Sequence, residues 1–164
     1  MPRFHLGDPR GHFSFKHGDA VGFKTAGGHV DPENFGRIVD GWQDGQVSGS
    51  RSAPVYKVEI DGHPGTFFNA EDLQLQKLSR EDLIRLKIHR RWRQGYPRYL
   101  VVAERLAPGQ NPTLIPAFGP GTGHLCAACD DPISPSEIQA TYPRSQGDPV
   151  RLHERCDQIW REEE

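Results

Sequence analysis

Residues 54–62 read PVYKVEIDG. Tyr56, Val58 and Ile60 fall on one side of this stretch and Lys57 and Glu59 on the other, the period of a half-buried β-strand rather than of a helix. Asp61-Gly62 then supplies a hairpin turn. The pattern repeats on both sides. Upstream, Val21 and Phe23 alternate within DAVGFKT (19–25), which Gly27-Gly28 ends. FGRIVDGWQ (35–43) places Ile38 and Trp42 on one side with Val39 on the other, and a Gly- and Ser-rich loop follows. Downstream, Phe67 and Phe68 begin a fourth strand, and NAEDLQL (69–75) reads as a short turn carrying Leu73 back onto a barrel mouth. Short strands spaced by turn residues predict a small antiparallel β-barrel over residues 16–76. Residues 1–15 mix Pro, Gly and His without a period and read as an irregular tail.

HGDAVGFKTAGG (17–28), GRIVDGW (36–42), PVYKVEIDG (54–62) and FFNAEDLQL (67–75) carry a resemblance. Together they resemble the small five-stranded barrels of the Tudor and KOW type, including a bacterial Tudor-like family linked to hypervirulence. In such domains an opening Gly-Asp-x-Val, a Gly-x-Ile/Val second strand, a Tyr-x-Val third strand and a terminal x-x-Leu-x-Leu recur. Some Tudor domains use barrel aromatics as a cage for a methylated ammonium group. Phe23, Trp42 and Tyr56, with Phe67 and Phe68, are the candidates here, and the competing reading makes these rings the barrel core.

A helical period replaces the strand pattern over residues 79–94. Ser79 is a suitable N-cap, Glu81 and Asp82 sit where the helix dipole favours anions, and Gly95 stops the run before Pro97. Ile84, Ile88 and Trp92 form one apolar stripe, while Arg85, Lys87, Arg90, Arg91 and Arg93 spread around the circumference. A helix of this kind is expected to pack between two bodies, here against the barrel, its arginine stems covering apolar surface. The following RYLVVAERL (98–106) favours a strand slightly over more helix.

Charge is segregated along the chain. The net charge is −2, yet residues 77–105 carry nine Lys/Arg against three Asp/Glu, residues 1–76 seven against ten, and residues 106–164 four against nine. This basic segment has two readings of equal weight: a nucleic-acid footprint, or a surface on which the acidic parts of the same chain dock.

Residues 107–123 contain Pro and Gly with little periodicity and read as a linker. Beyond them, in 124–164, lie Cys126-x2-Cys129 and, after 23 residues, His153-x2-Cys156. A cysteine pair two apart in a tight turn directs two thiolates at one ion. His153 and Cys156, three apart on the first turn of a helix, add two more ligands. Asp130, after the second cysteine, tolerates the left-handed backbone such a turn needs. Leu152, Ile159 and Trp160 would pack the helix over the site. All three cysteines and one histidine in a single pattern predict one structural zinc ion with a closed shell and a reducing compartment. Cys126, Cys129, Pro132-Ile133, His153 and Cys156 together resemble a treble-clef zinc finger, and more narrowly the first half of a LIM domain. The gap is longer than usual for LIM, and the second zinc module that completes a LIM domain is absent from the pattern.

These readings give an α+β chain: tail (1–15), barrel (16–76), basic helix and connector (77–106), linker (107–123) and zinc finger (124–164). No phosphate loop, nucleophile elbow or HExxH motif is present, and the interval between the cysteine pairs holds no His or Asn of the kind an HNH nuclease needs. His124 reads as a surface residue rather than a base. The expectation is a non-catalytic, cytoplasmic module that binds nucleic acid or a nucleic-acid-bound machine through Arg85, Lys87, Arg90, Arg91, Arg93 and Arg98. The alternative is a protein–protein adaptor whose basic connector is neutralised internally. Mean hydropathy is −0.69, and no stretch approaches the ~20 apolar residues of a membrane span, so no membrane partner is expected.

Overall fold

In a computed structural model, the alternation of residues 55–60 becomes a strand with Tyr56, Val58 and Ile60 buried and Val55, Lys57 and Glu59 half-buried. The structure describes residues 2–45, 52–96, 116–144 and 147–163. Its contacts divide into two units, Met1–Arg80 and Glu81–Glu164.

The first unit contains β1 (Arg3–His5), β2 (Ala20–Lys24), β3 (Val30–Asp44), β4 (Val55–Ile60), β5 (Phe67–Glu71) and β6 (Leu75–Lys77). All pairings are antiparallel along the path β5-β4-β3-β2-β6, with β1 on β3. The sheet is therefore open rather than a closed barrel. β5 and β6 follow one another through a single 3-10 turn, Asp72–Gln74. They run end to end, β5 on β4 and β6 on β2, with no ladder between them to close the sheet. That turn also sends Leu73 into solvent, 80% exposed, and buries Leu75 in its place.

A β-bulge corrects the face assignment of the second strand. Ile38 opposes Val58 and Asp40 opposes Lys57, so Val39 is an extra residue, after which Gly41 opposes Tyr56 and Trp42 opposes Val55. One inserted residue inverts the alternation, so Trp42 lies on the face opposite to Ile38. Nearby, Gly36 brings β3 close to β4, where an added Cβ would lie 1.9 Å from the Glu59 carbonyl oxygen.

The core holds Phe15, Val21, Ile38, Tyr56, Val58, Ala70 and Leu75, with Leu6, Phe13 and Phe23 against it. Residues 1–15 are thus more than a tail: β1 pairs with the end of β3, and Phe13 and Phe15 meet the Tyr56 ring edge-on. Their rings come from irregular backbone, which leaves no period in the sequence.

The second unit contains α1 (Arg80–Arg93), β7 (Ala117–Pro120), β8 (Ile138–Tyr142), β9 (Val150–His153) and α2 (Glu154–Glu163). Helix α1 ends as expected at Gly95, which has φ of 93°. There Gly95 N–H donates to Trp92 O and Tyr96 N–H to Arg91 O, a Schellman closure. The strands form a sheet in the order β7-β8-β9, so the end of the expected linker is a strand, with Pro120 at its terminus where the ladder tolerates it. Residues 98–106, read as a strand, and Arg98 lie outside the described residues. Ile84 and Ile88 of α1 share one core with Cys126, Cys129, Ile133, Leu152, Cys156, Ile159 and Trp160. The basic helix is therefore built into the cysteine-bearing unit, and the division between units falls at its start rather than at residues 107–123. No described helix is long and apolar enough to cross a membrane.

Candidate metal centre

The first ligand pair sits on a tight turn. Leu125 and Pro132 bridge its base, Cys126 N–H donates to Asp131 O at 2.8 Å, and Asp130 N–H donates to Cys126 O at 2.9 Å. Closing that turn puts Asp130 at φ of 66°, the one described non-glycine residue with positive φ. Ala127 N–H donates to Arg151 O, tying the turn to β9. His153 is the last residue of β9 and Cys156 lies in the first turn of α2, so the histidine precedes the helix rather than riding on it.

These elements bring one ligand atom from each of Cys126, Cys129, His153 and Cys156 within 4.8 Å of one another. His153 turns Nδ1 inward, 3.4 Å from Cys129 Sγ and 4.0 Å from Cys156 Sγ. Tetrahedral bonds of about 2.3 Å to sulfur and 2.0–2.1 Å to nitrogen imply S–N separations of about 3.6 Å, so the donor set fits one ion. Three buried sulfurs this close cannot all be charged unaided. Hydrogen bonds from the Cys129 and Cys156 side chains hold the Cys126 thiol well below its ordinary range against its burial, with the backbone N–H groups of Cys129 and His153 assisting. Cys156 moves the other way, kept protonated by its hydrogen bonds to Cys126 and Cys129. A bound divalent cation favours the thiolate at each sulfur.

Helix α1 clamps this turn. Lys87 Nζ donates to Cys129 O and Asp130 Oδ2, both at 3.1 Å. Arg91 Nε donates to Ala127 O at 3.0 Å, and its guanidinium also bonds the Asp130 carboxylate. The residue in the left-handed turn thus also carries the charge on which two of the helix cations meet. Arg85 ion-pairs with Glu163 at 3.1 Å, Glu81 at 3.5 Å and Asp82 at 3.6 Å. His89 Nε2 lies 2.7 Å from Glu163. Of the expected polyanion contacts, Lys87 is buried, Arg85, Arg90 and Arg91 are half-buried, and Arg93 is exposed.

The three aromatic candidates have different ring partners. Tyr56 is fully buried, its hydroxyl accepting from Ser14 N–H at 2.9 Å and donating to Asp72 Oδ1 at 3.1 Å. Phe23 meets Phe68 edge-on, and Trp42 lies beneath the Arg3 guanidinium. Tyr56 is core, and the bulge at Val39 moves Trp42 to the other face. His124 is exposed, its Nδ1 2.7 Å from Thr122 Oγ1, and is not in the ligand cluster.

Sequence reasoning missed two polar groups of this unit, one of them facing the site. Asp157, beside Cys156, is buried and bonds both Tyr142 and Arg161. Glu137 lies 3.5 Å from His153 Nε2. The Ser-x-x-Glu spacing of residues 134–137 was the available signal for the second; a charge at a helix position facing inward left none for the first. In comparisons with known proteins, no family model, curated protein or solved structure matches this chain.

Proposed function

We propose that the chain is a non-catalytic protein–protein adaptor with one structural zinc ion in its second unit. Four protein ligands complete a tetrahedral shell and leave no position for substrate or a reactive water. A ligand-bearing turn, the β8–β9 hairpin and α2, in that order, support the treble-clef resemblance. Cys126, Cys129, His153 and Cys156 would hold the ion, which supplies cross-linking and charge neutralisation.

The observation that carries the adaptor reading is the internal pairing of the basic helix. Arg85, Lys87 and Arg91 are engaged by Glu81, Asp82, Asp130, Glu163 and backbone carbonyls of the same unit. A polyanion would have to break these pairs to use them, which disfavours the nucleic-acid reading that the +6 segment suggests. The test is a salt titration of the zinc-loaded protein against labelled single- and double-stranded nucleic acid. The adaptor reading expects no binding at low salt. A log–log slope of several units, lost on replacing Arg90, Arg91 and Arg93 by Gln, overturns it in favour of nucleic acid.

A further inference from the structure

The Cys126 sulfur receives backbone N–H groups, but the histidine ligand has to be fixed by something else. An imidazole presents one nitrogen to a metal, and the group on its other nitrogen sets both tautomer and ring angle. Here Nδ1 faces the sulfurs. Nε2 faces a carboxylate oxygen, Oε2 of Glu137, at 3.5 Å.

That carboxylate is itself held. Ser134 N–H donates to Glu137 Oε2 at 2.9 Å, and Glu137 N–H donates back to Ser134 O at 3.0 Å. The turn is seated against the segment that follows β7 by Gly121, whose N–H donates to Glu137 O. An added Cβ at Gly121 would lie 2.1 Å from Ser134 O, so the approach needs glycine.

We infer that Glu137 is a positioning residue for the metal: its carboxylate accepts the Nε2 proton of His153, fixes the tautomer that leaves Nδ1 unprotonated, and aims that nitrogen at the ion held by the three cysteines. This rests on the zinc reading above. Glu137 touches no ligand atom and acts only through the imidazole.

The test uses the full chain. Zinc affinity is measured by chelator competition for the wild type, Glu137→Ala and Glu137→Gln, and a long-range proton–nitrogen spectrum is recorded with cadmium-113 in place of zinc. The expected wild type binds one equivalent, shows cadmium coupling on Nδ1 and carries a slowly exchanging proton on Nε2. Glu137→Ala is expected to bind tenfold to a hundredfold more weakly, with faster exchange of that proton. Glu137→Gln, whose amide oxygen can still accept from Nε2, should recover part of both. A general loss of fold would change the far-ultraviolet dichroism at saturating zinc, which the inference expects to stay the same. Affinity in Glu137→Ala within twofold of wild type with unaltered Nε2 exchange, or cadmium coupling on Nε2, overturns the role of Glu137 while leaving the zinc site standing. Failure of the wild type to take up one equivalent overturns the zinc reading, and this inference with it.

Discussion

Replacing Ile88 by alanine tests where the basic helix belongs. Ile88 has no exposed surface and shares its core with Cys126, Cys129 and Cys156, 38 or more positions further along the chain. The substitution removes three carbons, worth about 2.4 kcal/mol at ~0.8 kcal/mol per buried CH₂. The cavity left behind adds to this and brings the total to about 3 kcal/mol. Where folding and metal binding are coupled, this loss is read as affinity: at about 1.4 kcal/mol per decade, zinc should bind about a hundredfold more weakly. Chelator competition gives the affinity, and calorimetry of the zinc-loaded protein separates the transitions of the two units. Leu73→Ala, at an 80% exposed position of the first unit, should change neither. Zinc affinity in Ile88→Ala within threefold of wild type would refute the shared core, as would loss of the first unit's transition with the second intact.

Gly36→Ala is the converse experiment. A methyl group 1.9 Å from the Glu59 carbonyl oxygen must push β3 from β4, at a cost of about 3 kcal/mol or more. Calorimetry should show the first unit destabilised while one equivalent of zinc is retained. Tyr142→Phe leaves buried Asp157 without its hydroxyl partner, and thermal unfolding of the zinc-loaded protein should show a loss of about 1–3 kcal/mol. Alkaline pH should unfold both units. Burial raises the Tyr56 hydroxyl above its ordinary value, and burial together with the Asp157 bond raises that of Tyr142. Their stabilising contribution is complete below about pH 10 and lost as pH rises through the folded-state values. Denaturant midpoints should therefore fall above pH 10, and Tyr56→Phe should flatten that fall; a midpoint independent of alkaline pH would contradict it.

The parts of the fold legible in the sequence are those with a local cause. The strand at 55–60 follows from strict alternation, and the end of α1 from Gly95, because each is decided within a few residues. What stayed hidden depends on partners far along the chain. Val39 looks like an ordinary strand residue, and only its pairing with β4 reveals the bulge that turns Trp42 away from Ile38. Phe13 and Phe15 lie in an aperiodic segment, yet long-range contacts with Tyr56 bury Phe15 in the core and pack Phe13 against it. Closure of the sheet was likewise unreadable, since strand count and turn spacing are the same for an open sheet as for a barrel.

The same distinction governs the metal centre. The candidate ligands were legible because tetrahedral coordination demands side chains of fixed type at short spacing, and Asp130 because a left-handed backbone restricts residue choice locally. The basic helix was ambiguous in the sequence because formal charge counts every cation alike, whereas the cost of burying one depends on what it meets. Lys87 can be 8% exposed because a carbonyl and the Asp130 carboxylate compensate the lost water. Removing that carboxylate should therefore damage the site more than removing the lysine's charge. Asp130→Asn leaves Lys87 and Arg91 facing an uncharged partner, with Lys87 still buried. Lys87→Met replaces a buried cation by an apolar chain of similar length and leaves Arg91 to hold Asp130. If the cations serve to bind the ligand turn rather than an external polyanion, zinc affinity should fall further in Asp130→Asn than in Lys87→Met. The opposite order would mean that charge on α1 is needed for something outside this unit.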